Sequence, residues 1–147
     1  MNIYERLKQD HDRHRKLADK IMHTTGDSED RRALWEKFKV DCVAHANAEE
    51  QTLYASLIKD SDTQEQARHS VHEHEEVDEL IEQLDQMEMS SGAWLQKFEK
   101  LKDELEHHMK EEEEEVFDQA KDVIASSEAK QMAEKFDQRK DQELDAA

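Results

Sequence analysis

The sequence contains no proline and only two glycines among its 147 residues. Proline and glycine are the residues that most often end helices and form tight turns, so few positions force a helix to stop. Aromatic residues make up only 5% of the chain, whereas strands are rich in aromatic and β-branched side chains. These shortages predict an all-α protein, and the length suits one domain.

Cysteine occurs only at position 42, so no internal disulfide can form and a reducing, cytoplasmic location is expected. No apolar run reaches membrane-spanning length and no leader sequence is recognisable, which favours a soluble protein. The net charge of -18 argues against nucleic acid or an anionic membrane surface as a partner. Hydrophobic residues are few, at 35%, but their helical spacing argues against disorder.

Apolar periodicity predicts four long amphipathic helices, at about 3–23, 29–59, 64–89 and 93–124. Short segments rich in Gly, Asp, Ser and Thr separate them, as is usual between helices. Short turns between long helices make antiparallel neighbours. The prediction is an up-down-up-down four-helix bundle over residues 1–125. Residues 126–147 are expected to form a short C-terminal helix and a polar tail, docked over the open end of the bundle.

The two halves of the chain match at a shift of 63 residues. The aligned pairs include His11/His74, Leu17/Leu80, Trp35/Phe98, His45/His108, Glu49/Glu112 and Tyr54/Phe117. Two histidine matches at one shift, flanked by matching apolar positions and a shared His-x-x-x-Glu, are hard to attribute to chance. Each half is therefore a helical hairpin, and the two hairpins are expected to pack with approximate twofold symmetry.

Six of the repeated polar residues are predicted to lie at one level of the bundle. In an antiparallel bundle, residues on successive helices lie side by side when they are equally distant from the turn that connects the helices. For the six residues, the sequence midpoints between successive helices fall at the three turns. Residues i and i+4 share one helix face, so each His-x-x-x-Glu directs two side chains to one point. The six residues are His11, His45, Glu49, His74, His108 and Glu112.

This set of side chains is suited to two metal ions. Buried imidazoles and carboxylates without partners carry a large desolvation penalty, which divalent ions would remove. Imidazole and carboxylate without thiolate suit iron best, with manganese or zinc less favoured. Four His and two Glu are too many for one ion with an open position. The sequence therefore predicts two iron ions, with one histidine from each helix and with Glu49 and Glu112 shared by both ions.

The remaining histidines have simpler interpretations as surface or core residues; they are His14, His23, His69, His72 and His107. His14 aligns with Val77 in the repeat, so it is expected to pack in the core or, less favoured, to contact a ligand. His107 is adjacent to His108, but the register of the repeat selects His108 as the ligand.

Glutamates beside the predicted ligands leave one alternative open. If the spacing between the histidine and the acidic ligand on the fourth helix is wider, Glu113 replaces Glu112 as the ligand. Glu50, its counterpart in the first half, is expected to be exposed or to hydrogen-bond to a ligand. Cys42 and Tyr54 are both expected to pack in the core.

At these residues the chain resembles the haemerythrin-like, His-His-Glu cation-binding domains. The matching stretches are 7–11, 45–54, 72–77 and 108–117, within a resemblance that covers roughly residues 3–120. The resemblance implies a non-haem di-iron centre, oxo- or hydroxo-bridged, that binds O2 or related small oxidants. Members of the family include oxygen carriers, oxygen or iron sensors, and proteins that handle nitric oxide, peroxide or damaged iron centres.

The sequence departs from the oxygen carriers of this family in two places. Those proteins have a further histidine on the third helix and a His-x-x-x-x-Asp on the fourth. Here Ser70 and Asp78 lie four residues from His74, and the fourth helix has His-x-x-x-Glu. The set of four His and two Glu resembles the stress-response branch more than the transporters. A missing nitrogen ligand would leave an iron position for water, O2, nitric oxide or peroxide.

Three functions are compatible with these residues. The favoured one is a di-iron protein that binds or reacts with O2, nitric oxide or peroxide as a sensor, scavenger or stress protein. The second is an iron or metal buffer, or a regulatory module without turnover. The third is a di-iron oxidase or peroxidase on an organic substrate, although ferritin-like enzymes of that kind use Glu-x-x-His. The protein is expected to be a monomer or a weak homodimer.

Overall fold

The computed structural model describes residues 1–147 and contains five helices. Helix α1 is Ile3–Met22, α3 is Gln64–Gln86 and α5 is Ser126–Ala146. Helix α2 comprises Glu29–Glu49, a π-helical turn at Glu50–Tyr54 and Ala55–Leu57, whereas α4 comprises Gly92–Glu111, a π-helical turn at Glu112–Val116 and Phe117–Val123. Helices α1 to α4 form the four-helix bundle predicted from the sequence, which is thereby confirmed. None of the helices has the length and apolar character needed to cross a bilayer.

The helices begin where the sequence supplies capping side chains. Asn2 and Glu5 form a reciprocal capping box at the start of α1, and the hydroxyl groups of Ser28 and Ser91 accept backbone N–H groups at the starts of α2 and α4. Gly26 has a φ of +55°, a left-handed conformation that a glycine adopts without strain, and it turns the chain from α1 into α2. These local signals place the helix starts close to the predicted positions.

The hydrophobic core consists of two clusters at different levels of the bundle. One includes Leu7, Leu53 and Val116 and continues onto α5. The other includes Ile21 and Leu84 and contains the packed aromatic rings Trp35, Phe38, Trp94 and Phe98. Between the clusters lies a layer of buried histidines and carboxylates. The apolar clusters therefore remove these polar groups from water on both sides.

Helices α2 and α4 each contain a wide π-helical turn in the polar layer. The N–H of Ala55 bonds to the carbonyl of Glu50, and the N–H of Phe117 bonds to the carbonyl of Glu112, so each turn spans five residues instead of four. One extra residue rotates the following helix by about 100°, and such turns are frequent at functional sites. Apolar periodicity carries no signal for them, because their apolar positions also fit an uninterrupted helix.

Helix α5 is longer than the short C-terminal helix expected from the sequence, and it lies along α1 and α2 instead of over the open end. Its buried side chains recur at helical spacing and are Ala129, Met132, Ala133, Phe136 and Lys140. The two alanines permit close approach of the backbones, while Phe136 is fully buried beneath the guanidinium of Arg6. Good helix formers without a breaker explain the length.

Candidate metal centre

Six buried side chains from α1 to α4 meet in the polar layer. They form two groups of four, each with its ligand atoms within 4.8 Å of one another: His11, His45, Glu49 and Glu112, and Glu49, His74, His108 and Glu112. The two glutamates belong to both groups and are completely buried. The structure thus brings together all six residues singled out by the sequence, as two adjacent positions that share two carboxylates.

The imidazole Nε2 atoms point toward these shared carboxylates. His11 Nε2 lies 3.0 Å from Glu112 Oε1, and His74 Nε2 lies 3.1 Å from Glu49 Oε1. His45 and His108 approach the glutamate one turn further along their own helices at 3.6 and 3.4 Å. Because the Nε2 atoms of His74 and His108 are only 2.9 Å apart, four nitrogens and four oxygens converge on one small volume.

Some carboxylate oxygens in this volume have no hydrogen-bond donor. Both side-chain oxygens of Glu49 and Oε1 of Glu112 are buried without a hydrogen bond of acceptable geometry. Buried charged groups are costly unless they are hydrogen-bonded or coordinate a metal. The orphaned oxygens and the nitrogen and oxygen donor set both fit divalent metal ions, with iron, manganese and zinc as the chemically suitable choices.

Each of the four histidines donates a hydrogen bond from its other ring nitrogen to a second carboxylate. The Nδ1 atoms of His11, His45, His74 and His108 lie 2.7, 2.8, 2.9 and 3.0 Å from carboxylate oxygens of Glu113, Asp10, Glu50 and Glu73, respectively. We call these four residues the outer carboxylates. Such contacts fix the tautomer and orientation of a metal-binding imidazole and increase its basicity.

The outer carboxylates follow the internal repeat, because Asp10 aligns with Glu73 and Glu50 aligns with Glu113. Glu50 hydrogen-bonds to His74, which was one of its two predicted roles. Glu113 faces His11 Nδ1 and is not among the converging groups, so the structure places Glu112 rather than Glu113 at the centre. Asp10 and Glu73 were missed, although each directly precedes a predicted ligand histidine and the two coincide at the shift of 63.

Without metal, the neighbouring carboxylates favour the protonated forms of His11 and His74. Burial alone would lower the pKa of His11, but the adjacent carboxylates of Glu112 and Glu113 raise that pKa to about 9. Burial likewise opposes the charge on His74, and Glu49 and Glu50 raise its pKa to about 9. The reverse holds for Glu112, because burial would raise its pKa but the adjacent histidines His108 and His11 hold that pKa well below its ordinary value.

Tyr54 contributes to the polar layer in a way that the sequence did not indicate. Its ring packs against His74, with the ring centroids 5.8 Å apart, while its hydroxyl donates a hydrogen bond to Glu112 Oε2. The prediction of simple core packing is therefore incomplete. The internal repeat did not indicate this hydrogen bond, because the residue aligned with Tyr54 is Phe117, which has no hydroxyl group.

The other histidines lie outside the converging groups. His23, His69, His72 and His107 are exposed. His14 is buried, and its Nε2 lies 2.6 Å from Asp41 Oδ2. Cys42 lies in the core as predicted.

A small cavity adjoins the four converging histidines. Its volume is about 30 Å³, and its wall also includes apolar side chains of Cys42, Val77, Ile81 and Leu105. On this measure about 10–15 Å³ is enough to hold one water molecule. The cavity therefore has room for a small molecule next to the histidines.

Comparison with known proteins agrees with this architecture. The Hemerythrin HHE cation binding domain model matches residues 2–120. The crystal structure of a hemerythrin HHE cation binding domain-containing protein from Mycobacterium kansasii is 25% identical, with a TM-score of 0.89 over 99% of this chain and 89% of that one. A DNA nickase from Nostoc sp. is 27% identical over 139 residues, and the alignment spans 92% of this chain but only 38% of the nickase. With the family model spanning most of the bundle, this chain belongs to the hemerythrin HHE cation-binding domain family.

Proposed function

We propose that this protein is a non-haem di-iron protein that binds or reacts with O2, nitric oxide or peroxide, in a sensing, scavenging or stress-response role. The observation that carries the proposal is the pair of four-residue groups sharing Glu49 and Glu112. Two imidazoles and shared carboxylates per position are typical of non-haem iron, and this number of protein ligands leaves positions open. The iron ions would supply the capacity to bind and reduce small oxidants.

The protein's own residues would hold and insulate the metals. His11 and His45 would bind one ion and His74 and His108 the other, while the outer carboxylates keep each imidazole oriented. The two apolar clusters exclude bulk water from both sides. Tyr54 holds one oxygen of Glu112 through its hydroxyl group and thereby supports the orientation of this shared carboxylate.

The cavity of about 30 Å³ supports a diatomic molecule or peroxide as the ligand. An oxidase or peroxidase acting on an organic substrate would need a larger space than this cavity between the histidines, so that function is less favoured. The net charge of -18 opposes binding to DNA. The nickase activity of the Nostoc relative is therefore not included in the proposal, since most of that protein lies outside the alignment.

The proposal can be tested by rapid mixing of the reduced, iron-loaded protein with O2, nitric oxide or hydrogen peroxide, each followed by absorption spectroscopy. At least one oxidant should produce a new absorption band within seconds that is absent from the metal-free protein. A matched control is His107→Ala, which removes an exposed histidine next to His108 and should leave the response unchanged. His108→Ala should reduce or abolish it.

A protein that holds two irons but responds to none of the three oxidants would contradict the proposed reactivity. The site would then be a metal buffer or a regulatory module whose folding depends on metal supply. Reversible uptake and release of iron, measured against a chelator of known affinity, would identify that case.

A further inference from the structure

The outer carboxylates of the two proposed metal positions differ in their cationic partners. At the first position, Glu113 lies 3.1 Å from Arg15 Nη1, and it orients His11. Asp10, which orients His45, accepts hydrogen bonds from Arg6 Nη1 at 2.8 Å and from Lys140 Nζ at 2.9 Å. Three cationic side chains therefore hold the two carboxylates around the first position.

No arginine or lysine contacts the outer carboxylates of the second position. The ionic contact of Glu50 is with His74, and Glu73 contacts only His108 and the half-exposed His69. The repeat makes the contrast direct, because Arg6 aligns with His69 and Arg15 aligns with the acidic residue Asp78. Two similar sets of ligands are thus placed in different electrostatic surroundings.

Lys140 has no counterpart in the repeat, because α5 follows the second hairpin. The residue is 5% exposed, and its ammonium group lies between Asp10 and Asp41, at 2.9 and 3.1 Å. A buried ammonium is costly to place, and apolar residues such as Met132 and Phe136 already attach α5 to the bundle. The charge therefore calls for an explanation beyond attachment of the helix.

The position of the ammonium group supplies that explanation. Lys140 Nζ and His45 Nδ1 both donate to the same oxygen, Oδ2 of Asp10. A carboxylate oxygen that already accepts a hydrogen bond from a cation is a weaker acceptor for a second donor. The Asp10 oxygen therefore pulls less on the Nδ1 proton of His45, and the His45 imidazole becomes a weaker electron donor to a metal ion. The outer carboxylate of His108, Glu73, has no lysine or arginine on that oxygen; its second contact there is the half-exposed His69, at 3.6 Å.

We propose that Lys140 of α5 is a positioning residue that acts through Asp10 on His45 and makes the two metal positions unequal. The position of His11 and His45 is the one more easily reduced from ferric to ferrous iron by an external reductant. The position of His74 and His108 retains ferric iron to lower potentials. This inference rests on the proposed di-iron centre and deepens it, since it assigns the C-terminal helix a part in the centre.

The test is a reductive titration with dithionite of 57Fe-loaded protein, followed by Mössbauer spectroscopy and by optical measurement of the midpoint potentials. The wild type should show two unequal iron signals that are reduced in sequence. Lys140→Met removes the charge at similar length and should lower the first midpoint potential, because a nearby positive charge favours the ferrous state. Lys140→Arg should restore it toward the wild-type value.

Two further variants separate this effect from damage to the fold. Asp41→Asn removes a negative charge beside the ammonium without touching a ligand histidine, and it should raise the same potential. Lys135→Met removes an exposed charge from α5 and should leave both potentials unchanged. Because Lys140→Met and Asp41→Asn shift the potential in opposite directions, a general loosening of the site cannot imitate the pair of results.

The possible outcomes distinguish this inference from the proposed function. A wild type with fewer than two irons would overturn the di-iron centre and the inference with it. If the protein binds two irons but neither Lys140→Met nor Asp41→Asn changes a midpoint potential, the inference alone would be overturned. A shift in the same direction in both variants would also refute it.

Discussion

The metal-free protein should lose stability as the pH rises from about 6.5 to about 9. His11 and His74 are buried, and adjacent glutamate carboxylates raise the pKa of each from 6.5 to about 9. A histidine whose pKa is raised by folding stabilises the folded state fully when the pH is below its pKa in the unfolded chain. This stabilisation is lost as the pH rises through its pKa in the folded protein. The difference corresponds to roughly 3 kcal/mol for each histidine at pH 6. The raised pKa values of His45 and His108 act in the same direction.

For a chain of this length, each kcal/mol changes the melting temperature by about 2–4 °C. The Tm of chelator-treated protein should therefore fall by roughly 12–24 °C between pH 6 and pH 9.5, as measured by circular dichroism. The iron-loaded protein should behave differently, because bound imidazoles are neutral and proton competition for the ligands falls as the pH rises. The gap in Tm between the two forms should widen with pH.

Single variants give this prediction an internal control. His74→Gln removes one of the buried histidines whose pKa is raised, so the pH-dependent fall in the Tm of the metal-free protein should become smaller. Substitution of the exposed His72 by Gln should leave the fall unchanged. A metal-free Tm that is constant or increases from pH 6.5 to pH 9 would refute the proposed pairing of protonated histidines with the central glutamates.

Further substitutions test individual parts of the structure. The variants His74→Ala and Glu112→Ala should each lose at least one iron per chain, whereas His107→Ala should retain both, as measured by elemental analysis. Two irons per chain in either of the first two variants would contradict the ligand assignment. Phe136→Ala should destabilise the protein by about 3–5 kcal/mol, because the ring is fully buried, and a change below 1 kcal/mol in urea unfolding would show that α5 is loosely attached. Gly26→Ala should cost about 1 kcal/mol, because alanine is strained at a φ of +55°.

The architecture could be predicted from the sequence because its signals are periodic. Apolar spacing indicates the four helices, and the equal distances of six polar residues from the connecting turns place them in one layer. The repeat at a shift of 63 pairs Asp10 with Glu73, so the outer carboxylates were also within reach of sequence reasoning. They were missed because acidic residues are frequent in this chain and seldom informative one at a time.

Other features have no local signature. The π-helical turns after Glu49 and at Glu112 depend on how the helices pack, and their residues also suit a regular helix. The place of Lys140 depends on the docking of α5, which the internal repeat does not include. The hydroxyl contact of Tyr54 arises where the repeat has diverged. Sequence periodicity therefore revealed the symmetric part of the site, whereas the asymmetric contacts depend on the three-dimensional packing of the helices.

The contrast between the two halves has a functional meaning if the centre holds iron. A twofold repeat supplies two similar positions, and divergence around them changes their surroundings without changing the ligands. Arg6 and Arg15 near one position correspond to His69 and Asp78 near the other. Unequal positions would allow one ion to remain oxidised while the other changes state.

The central claim is tested most directly by the identity and number of metal ions per chain. The protein should be expressed in iron-sufficient medium, purified without a metal-affinity step, and analysed by inductively coupled plasma mass spectrometry together with amino-acid analysis. The account predicts close to two irons per chain, held between His11, His45, His74 and His108 and the shared glutamates. Zinc, a single ion, or no metal under these conditions would contradict the di-iron centre.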